Sequence, residues 1–204
     1  MALFTLWRVL DHTLNEQERE NISVRAIGAC EWFPGVRWQR SFFVDEPGRL
    51  LSLCVYQGPT LEAVREQSIR CAVPFLEIRE VTALTAQGHD GPGPLAAEPL
   101  FMVERQFPAE TPLDAIAHAL RSAADQQGVT WLRSYVDGER GSARCVLEAA
   151  SSDAVRDHSQ VHGLPCDSIE SVGENHPAFW ADIYDSFYLP RHWERSPATI
   201  PTER

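Results

Sequence analysis

Apolar and polar positions along this chain fall into two blocks with the same rhythm. In the second block, Phe101–Phe107 is rich in apolar residues and predicts a strand. Leu113, Ile116, Ala117 and Leu120 then recur at helical spacing, which predicts a helix capped by Thr111, opened by Pro112 and running through Gln127 to Gly128. Thr130–Val136 and Ala143–Ala149 predict two strands joined by a turn at Asp137-Gly138. Ser151 or Ser152 caps a second helix to about His162, Gly163 ends it, and a last strand lies around Ser168–Val172.

The first block repeats this order. Cys54–Val81 aligns without a gap on Cys145–Val172 and keeps Cys54/Cys145, Val55/Val146, Ala63/Ala154, Val64/Val155, Arg65/Arg156, Ser68/Ser159, Pro74/Pro165, Ile78/Ile169 and Val81/Val172. Upstream, Trp38-Gln39-Arg40-Ser41 matches Trp131-Leu132-Arg133-Ser134, and Phe4 and Arg8 echo Phe101 and Arg105. Each repeat reads βαββαβ, the order of the ferredoxin-like split unit. The sheet of such a unit has helices on one face, and its bare face must be buried. The expected fold is α+β: two tandem ferredoxin-like domains packed sheet to sheet as an intramolecular dimeric α/β barrel. The expected boundaries are 1–84 for the first repeat, 85–99 for a Gly/Pro linker and 100–173 for the second repeat. An aromatic tail, 174–204, is expected to pack on the body or on a partner, with disorder from about Ser196.

Composition narrows the chemistry. A length of 204 residues suits two domains of about 100. The net charge of −11 argues against a nucleic-acid partner, which needs a basic face. All 18 basic residues are Arg, so Schiff-base chemistry and a Walker-type phosphate loop, which need Lys, are excluded. Five Cys without a CxxC spacing fit reduced thiols and a cytoplasmic protein. Arg8 and Asp11 interrupt any signal-peptide core, and no apolar run approaches the ~20 residues of a membrane span.

Strand alternation sorts the candidate chemistry. In the second repeat Phe101, Val103, Leu132, Val136, Cys145 and Leu147 are expected under the helices, with Glu104, Trp131, Arg133, Tyr135, Arg144 and Glu148 on the bare face. The first repeat offers Trp7, Trp38, Arg40, Phe42 and Gln57 at the matching places. The reading is one pocket between the sheets. Glu104, Tyr135 and Glu148 are its candidate acid/base groups, and Trp7, Trp38, Arg40, Phe42, Trp131 and Arg133 its ligand-binding wall. Glu104 and Glu148 have an alternative role, as ion-pair partners of Arg133 and Arg144. His158 and His162 lie four apart on one helix face, where their counterparts are Gln67 and Cys71. With Glu104 they form a candidate site for a divalent transition metal. His158 also lies on an apolar stripe, so a core histidine is the competing reading. Cys54 and Cys145 read as small core residues.

Val103-Glu104-Arg105, Gly128-Val129, Trp131, Ser134-Tyr135-Val136, Cys145, Ala154-Val155-Arg156, His158, Gly163 and Pro165 together resemble a bacterial domain-of-unknown-function family. That family has a ferredoxin-like fold and includes an actinomycete nickel-binding protein. The likeness covers 101–172 well and 4–81 loosely. It implies a fold, a dimeric packing mode and a transition-metal site, nickel or another divalent ion, but no reaction. Three functions follow as expectations. The first is metal binding. The second is an enzyme without an organic cofactor (oxygenase, cyclase or isomerase type) acting on a small, partly aromatic molecule. The third is a partner-binding module. The expected partner is a small molecule or metal ion, with no nucleic acid or membrane, in a chain that could form a homodimer of the fused pair.

Overall fold

The computed structural model describes residues 1–46, 48–86, 95, 99–123 and 128–187, the side chains of 45, 46 and 187 excepted. The first half runs β1 (Ala2–Leu10), α1 (Glu16–Glu31), β2 (Arg37–Glu46), β3 (Arg49–Gly58), α2 (Leu61–Arg70) and β4 (Glu77–Thr85). The second runs β5 (Leu100–Gln106), α3 (Leu113–Ser122), β6 (Val129–Asp137), β7 (Ser142–Ala149), α4 (Ser152–Val161) and β8 (Ser168–Asn175). A 3-10 turn (Pro177–Phe179) and α5 (Ala181–Phe187) follow.

The fold is mixed α/β, built on a closed barrel in the order β1-β3-β2-β8-β5-β7-β6-β4 with antiparallel neighbours. Each half ends in a strand that belongs to both halves. β4 pairs with β1 through Val81 and then with β6 from Thr82 to Thr85. β8 pairs with β5 through Val172 and then with β2 from Gly173 to Asn175. Crossing strands give each half's edge strand a partner, which closes the barrel.

Local chemistry sets the helix starts. Asn15 and Glu18 form a capping box on α1, and Thr60 and Ser151 cap α2 and α4 at repeat-equivalent positions. The expected Thr111 cap is not made. α3 begins at Leu113 behind Pro112, with no side-chain bond at its start, and Thr111 donates its N–H to the Pro108 carbonyl in a turn. The expected extension of this helix to Gln127 falls outside the described residues.

Three apolar layers result. Phe42, Leu53, Val55, Leu100, Met102, Leu132 and Val146 fill the barrel, which both halves build. Phe4, Leu6, Trp38, Cys54 and Val64 pack under α1 and α2, and Val103, Ile116, Trp131, Cys145 and Val155 under α3 and α4.

The faces expected for Trp38, Trp131 and Leu132 are corrected here. β2 and β6 each carry a bulge, between Trp38 and Arg40 and between Trp131 and Arg133. One extra residue reverses the alternation beyond it. Both Trp therefore lie under the helices and Leu132 lies in the barrel, while Arg40, Phe42, Arg133 and Tyr135 keep the barrel-side parity. Each indole Nε1–H donates to a serine three residues on, Trp38 to Ser41 at 3.0 Å and Trp131 to Ser134 at 2.9 Å. The repeated Trp-x-x-Ser motif is thus a clasp across a bulge.

The start of the tail packs on the body. Tyr184 is buried against Gly28 of α1, and the Trp180 indole donates to Asn175. The tail beyond residue 187, including the segment from Ser196, lies outside the described residues. Among the described residues no helix is long and apolar enough to cross a membrane, and all five cysteines are free.

Candidate functional site

The sheet-facing polar groups gather at three places. The first is inside the barrel. Arg40, 1 % exposed, meets Glu174 at 2.5 Å, and the other Glu174 oxygen accepts the Leu95 N–H at 2.6 Å. Arg133 and Tyr135 stand beside Arg40, and Phe42 packs on Tyr135 with ring centres 6.3 Å apart. Burial pushes the Tyr135 phenol up while Arg133 and Arg40 pull it back, so it stays protonated. Burial also holds the Arg40 guanidinium below its ordinary value. Glu174 is a member that sequence reading missed. It falls two residues past the last repeat identity, where β8 was expected to have ended, and only the crossing of β8 to β2 turns it inward.

The second place is a more open part of the barrel wall. Glu104, Arg144 and Tyr135 lie in one row across β5, β7 and β6. Glu104 and Arg144 pair at 3.1 Å, and the Arg144 guanidinium sits 5.2 Å from the Trp7 ring centre. The Glu104 side chain is 45 % exposed, so this is a solvated ion pair and not a dry carboxylate. Glu148 shares the face but lies opposite Leu100 and Thr130, two rows from Glu104. Glu104 and Glu148 therefore do not form one acid/base pair.

The third place is on the other side of the sheet. His158 and His162 have ring centres 4.7 Å apart on and just after α4. Burial lowers the His158 pKa, keeping the ring neutral, and its Nε2–H donates to the Ala123 carbonyl at 2.7 Å. Among the described residues the remaining nitrogen, Nδ1, is buried without a hydrogen-bond partner, and so is Nε2 of His162. Glu104 faces away from this pair across the sheet. Among the described residues no group of three His, Cys, Asp or Glu is placed to hold a metal. The chemistry of the donor set is two imidazole nitrogens, which fits part of a nickel, copper or zinc shell.

Residues 101–172 match the family described as "Nickel responsive protein SCO4226-like". This match lies within the second half of the barrel. The match spans β5 through most of β8 and bears out the resemblance read from the motifs of the second repeat. No curated protein matches the chain. Among solved structures, a protein assigned as a chlorite dismutase is 10 % identical, with 90 % of this chain and 100 % of that one covered and a TM-score of 0.47. A protein assigned as a monooxygenase from Lactobacillus acidophilus is 8 % identical, with 85 % and 94 % covered and a TM-score of 0.48. The siroheme decarboxylase NirDL is 11 % identical, with 90 % and 79 % covered and a TM-score of 0.42.

A fourth place was not foreseen. Between α1 and the first-half sheet lies a cavity of about 30 Å³, whose lining includes Arg8, Ser23, Trp38, Ser52, Cys54 and Tyr56. It shares Leu10, Leu14, Ile22 and Val73 with an open cleft of about 520 Å³. The repeat comparison had placed the site-bearing chemistry in the second half.

Proposed function

We propose that this protein binds one divalent transition-metal ion, nickel by its family likeness, through His158 Nδ1 and His162 Nε2. The observation that carries the reading is that these two adjacent imidazoles each keep a buried nitrogen with no hydrogen-bond partner among the described residues. A buried polar atom left so is costly unless something meets it. The ion would supply Lewis acidity or simple sequestration. Glu104, the third ligand expected from sequence, is not part of this proposal, because it lies on the opposite face of the sheet. The proposal places the protein in the cytoplasm with its thiols reduced. It treats the chain as two fused ferredoxin-like units, 1–84 and 100–173, joined through 85–99.

Elemental analysis of tag-free protein, purified without chelator and challenged with nickel, copper, zinc and iron, tests the reading. Stoichiometric metal lost in His158→Ala/His162→Ala, but kept when the exposed His118 is changed to Ala, is the expected result. Metal retained at full stoichiometry by the double variant sinks this assignment.

A second reading rests on the convergence of Arg40, Arg133, Tyr135 and Glu174 inside the barrel. These groups suit an enzyme that polarises a small organic molecule, with Phe42 and Trp7 as apolar wall. Turnover or saturable binding abolished by Tyr135→Phe, with the fold intact, is what this reading requires.

A further inference from the structure

The cavity in the first half brings a buried cation together with a buried phenol. Arg8 is 4 % exposed and donates through Nη1 to the carbonyls of Val73 and Pro74, both neutral acceptors. It meets no carboxylate among the described residues. Tyr56, 2 % exposed, lines the same cavity from β3. Burial pushes the Tyr56 phenol well above its ordinary value, against the pull of Arg8, so the hydroxyl keeps its proton and can donate. A guanidinium out of water without counter-charge is costly, and this one adjoins space.

Comparison of the halves shows that the arrangement belongs to the first alone. Arg105, the counterpart of Arg8, is held additionally by the Ser159 hydroxyl at 3.1 Å. The matching Ser68 turns to Gln67 instead. Tyr56, Ser52 and Leu10 correspond to Leu147, Ala143 and Phe107, which belong to the close-packed second-half core. One half filled this position with apolar side chains and the other kept a polar floor.

The cavity volume, about 30 Å³, exceeds the ~10–15 Å³ that a single water centre requires, so a carboxylate head is of the right scale. The cleft beside it, about 520 Å³, lies within the usual ~300–1,000 Å³ of small-molecule sites. Leu10, Leu14, Ile22 and Val73 are the wall common to both, and His12, Glu18, Asn21 and Arg25 line the cleft beyond them, with Glu18 3.9 Å from His12. We infer that the first half binds a small organic carboxylate with an apolar tail, its anionic head on Arg8 and Tyr56 and its tail along Leu10, Leu14 and Ile22.

Calorimetric titration of the full chain with sodium octanoate, and with octan-1-ol as the uncharged probe of equal length, tests this. One octanoate per chain is expected, with octanol at least tenfold weaker. Arg8→Gln also removes contacts that hold the Val73-Pro74 turn, so Tyr56→Phe, which keeps the ring, carries the test. It should weaken octanoate by roughly tenfold, the scale of a hydrogen bond to a charged group, and leave octanol unchanged. His158→Ala/His162→Ala should leave octanoate binding as it is, which separates this site from the metal site. Absence of octanoate binding at millimolar concentration, equal binding of octanol, or an unaltered affinity in Tyr56→Phe overturns the inference.

Discussion

Arg40 and Glu174 are 134 positions apart in the chain and meet at 2.5 Å inside the barrel, with side chains 2 % and 5 % exposed. Arg40 comes from the bulged β2 of the first half and Glu174 from the end of β8, so this contact exists only because β8 crosses to the other half's sheet.

Breaking that pair from one side leaves a buried guanidinium short of its counter-charge. Glu174→Ala should therefore destabilise the fold by about 3–5 kcal/mol. Removing both charges together, as Arg40→Met/Glu174→Leu, should cost much less than the sum of the single changes. Urea unfolding of Glu174→Ala, Glu174→Leu, Arg40→Met and the double variant checks this. A loss in the double variant equal to the sum of the single losses would mean that the ion pair is not what matters.

The two indole clasps are equivalent and should behave alike. Trp131→Phe and Ser134→Ala each remove the 2.9 Å bond, and a double-mutant cycle should give a coupling of about 1 kcal/mol. The Trp38/Ser41 cycle should give a similar value. A coupling near zero in both would make the serines passengers.

Burial pushes the Cys30 thiol from 9.0 up to about 12, opposed by hydrogen bonds that include the Gln67 amide. A raised pKa means that the folded state holds its proton where the unfolded state loses it. The resulting stability is fully present below pH 9 and is lost as pH rises from 9 towards 12. The urea midpoint should fall across that window, and fall less steeply in Cys30→Ala. At pH 8, alkylation of Cys30 by iodoacetamide should track global unfolding.

The barrel interior is shared: Phe42, Leu53 and Val55 of the first half pack with Leu132, Tyr135 and Val146 of the second. A fragment of residues 99–187 alone would expose that face. It should either dimerise, each copy standing in for the missing half, or fail to fold. Light scattering of the purified fragment decides, and a stable folded monomer would contradict the packing argument.

Much of this architecture could be read from residue order. The apolar periodicities, the Ser151 cap and the repeat of Arg8, Trp38 and Cys54 in Arg105, Trp131 and Cys145 gave the element order and the expectation that two bare faces bury each other. The face of Trp38 and Trp131 could not be read, because a bulge inserts one residue without a sequence mark and reverses parity. Thr111 has the chemistry of a cap, but the turn through Pro108 takes its backbone N–H and Pro112 occupies the capping position before Leu113.

The candidate sites were legible to different depths. His158 and His162 are neighbours because four residues make a helical turn, so their proximity is a local fact that sequence determines. Glu104 does not join them. The strand's two-residue period puts Glu104 and Arg105 on opposite sides of the sheet, and α4 covers the side of Arg105.

Sequence by itself determined what depends on near neighbours: helices, strands, the Ser151 cap, the motifs that recur in both halves and a basic set made of arginine alone. Tertiary structure alone decided which polar groups meet. Arg40 found Glu174, and Arg8 found Tyr56 beside a cavity, through the crossing of β8 and the packing of α1. Such contacts join residues far apart in the chain, and no local pattern encodes the distance between them.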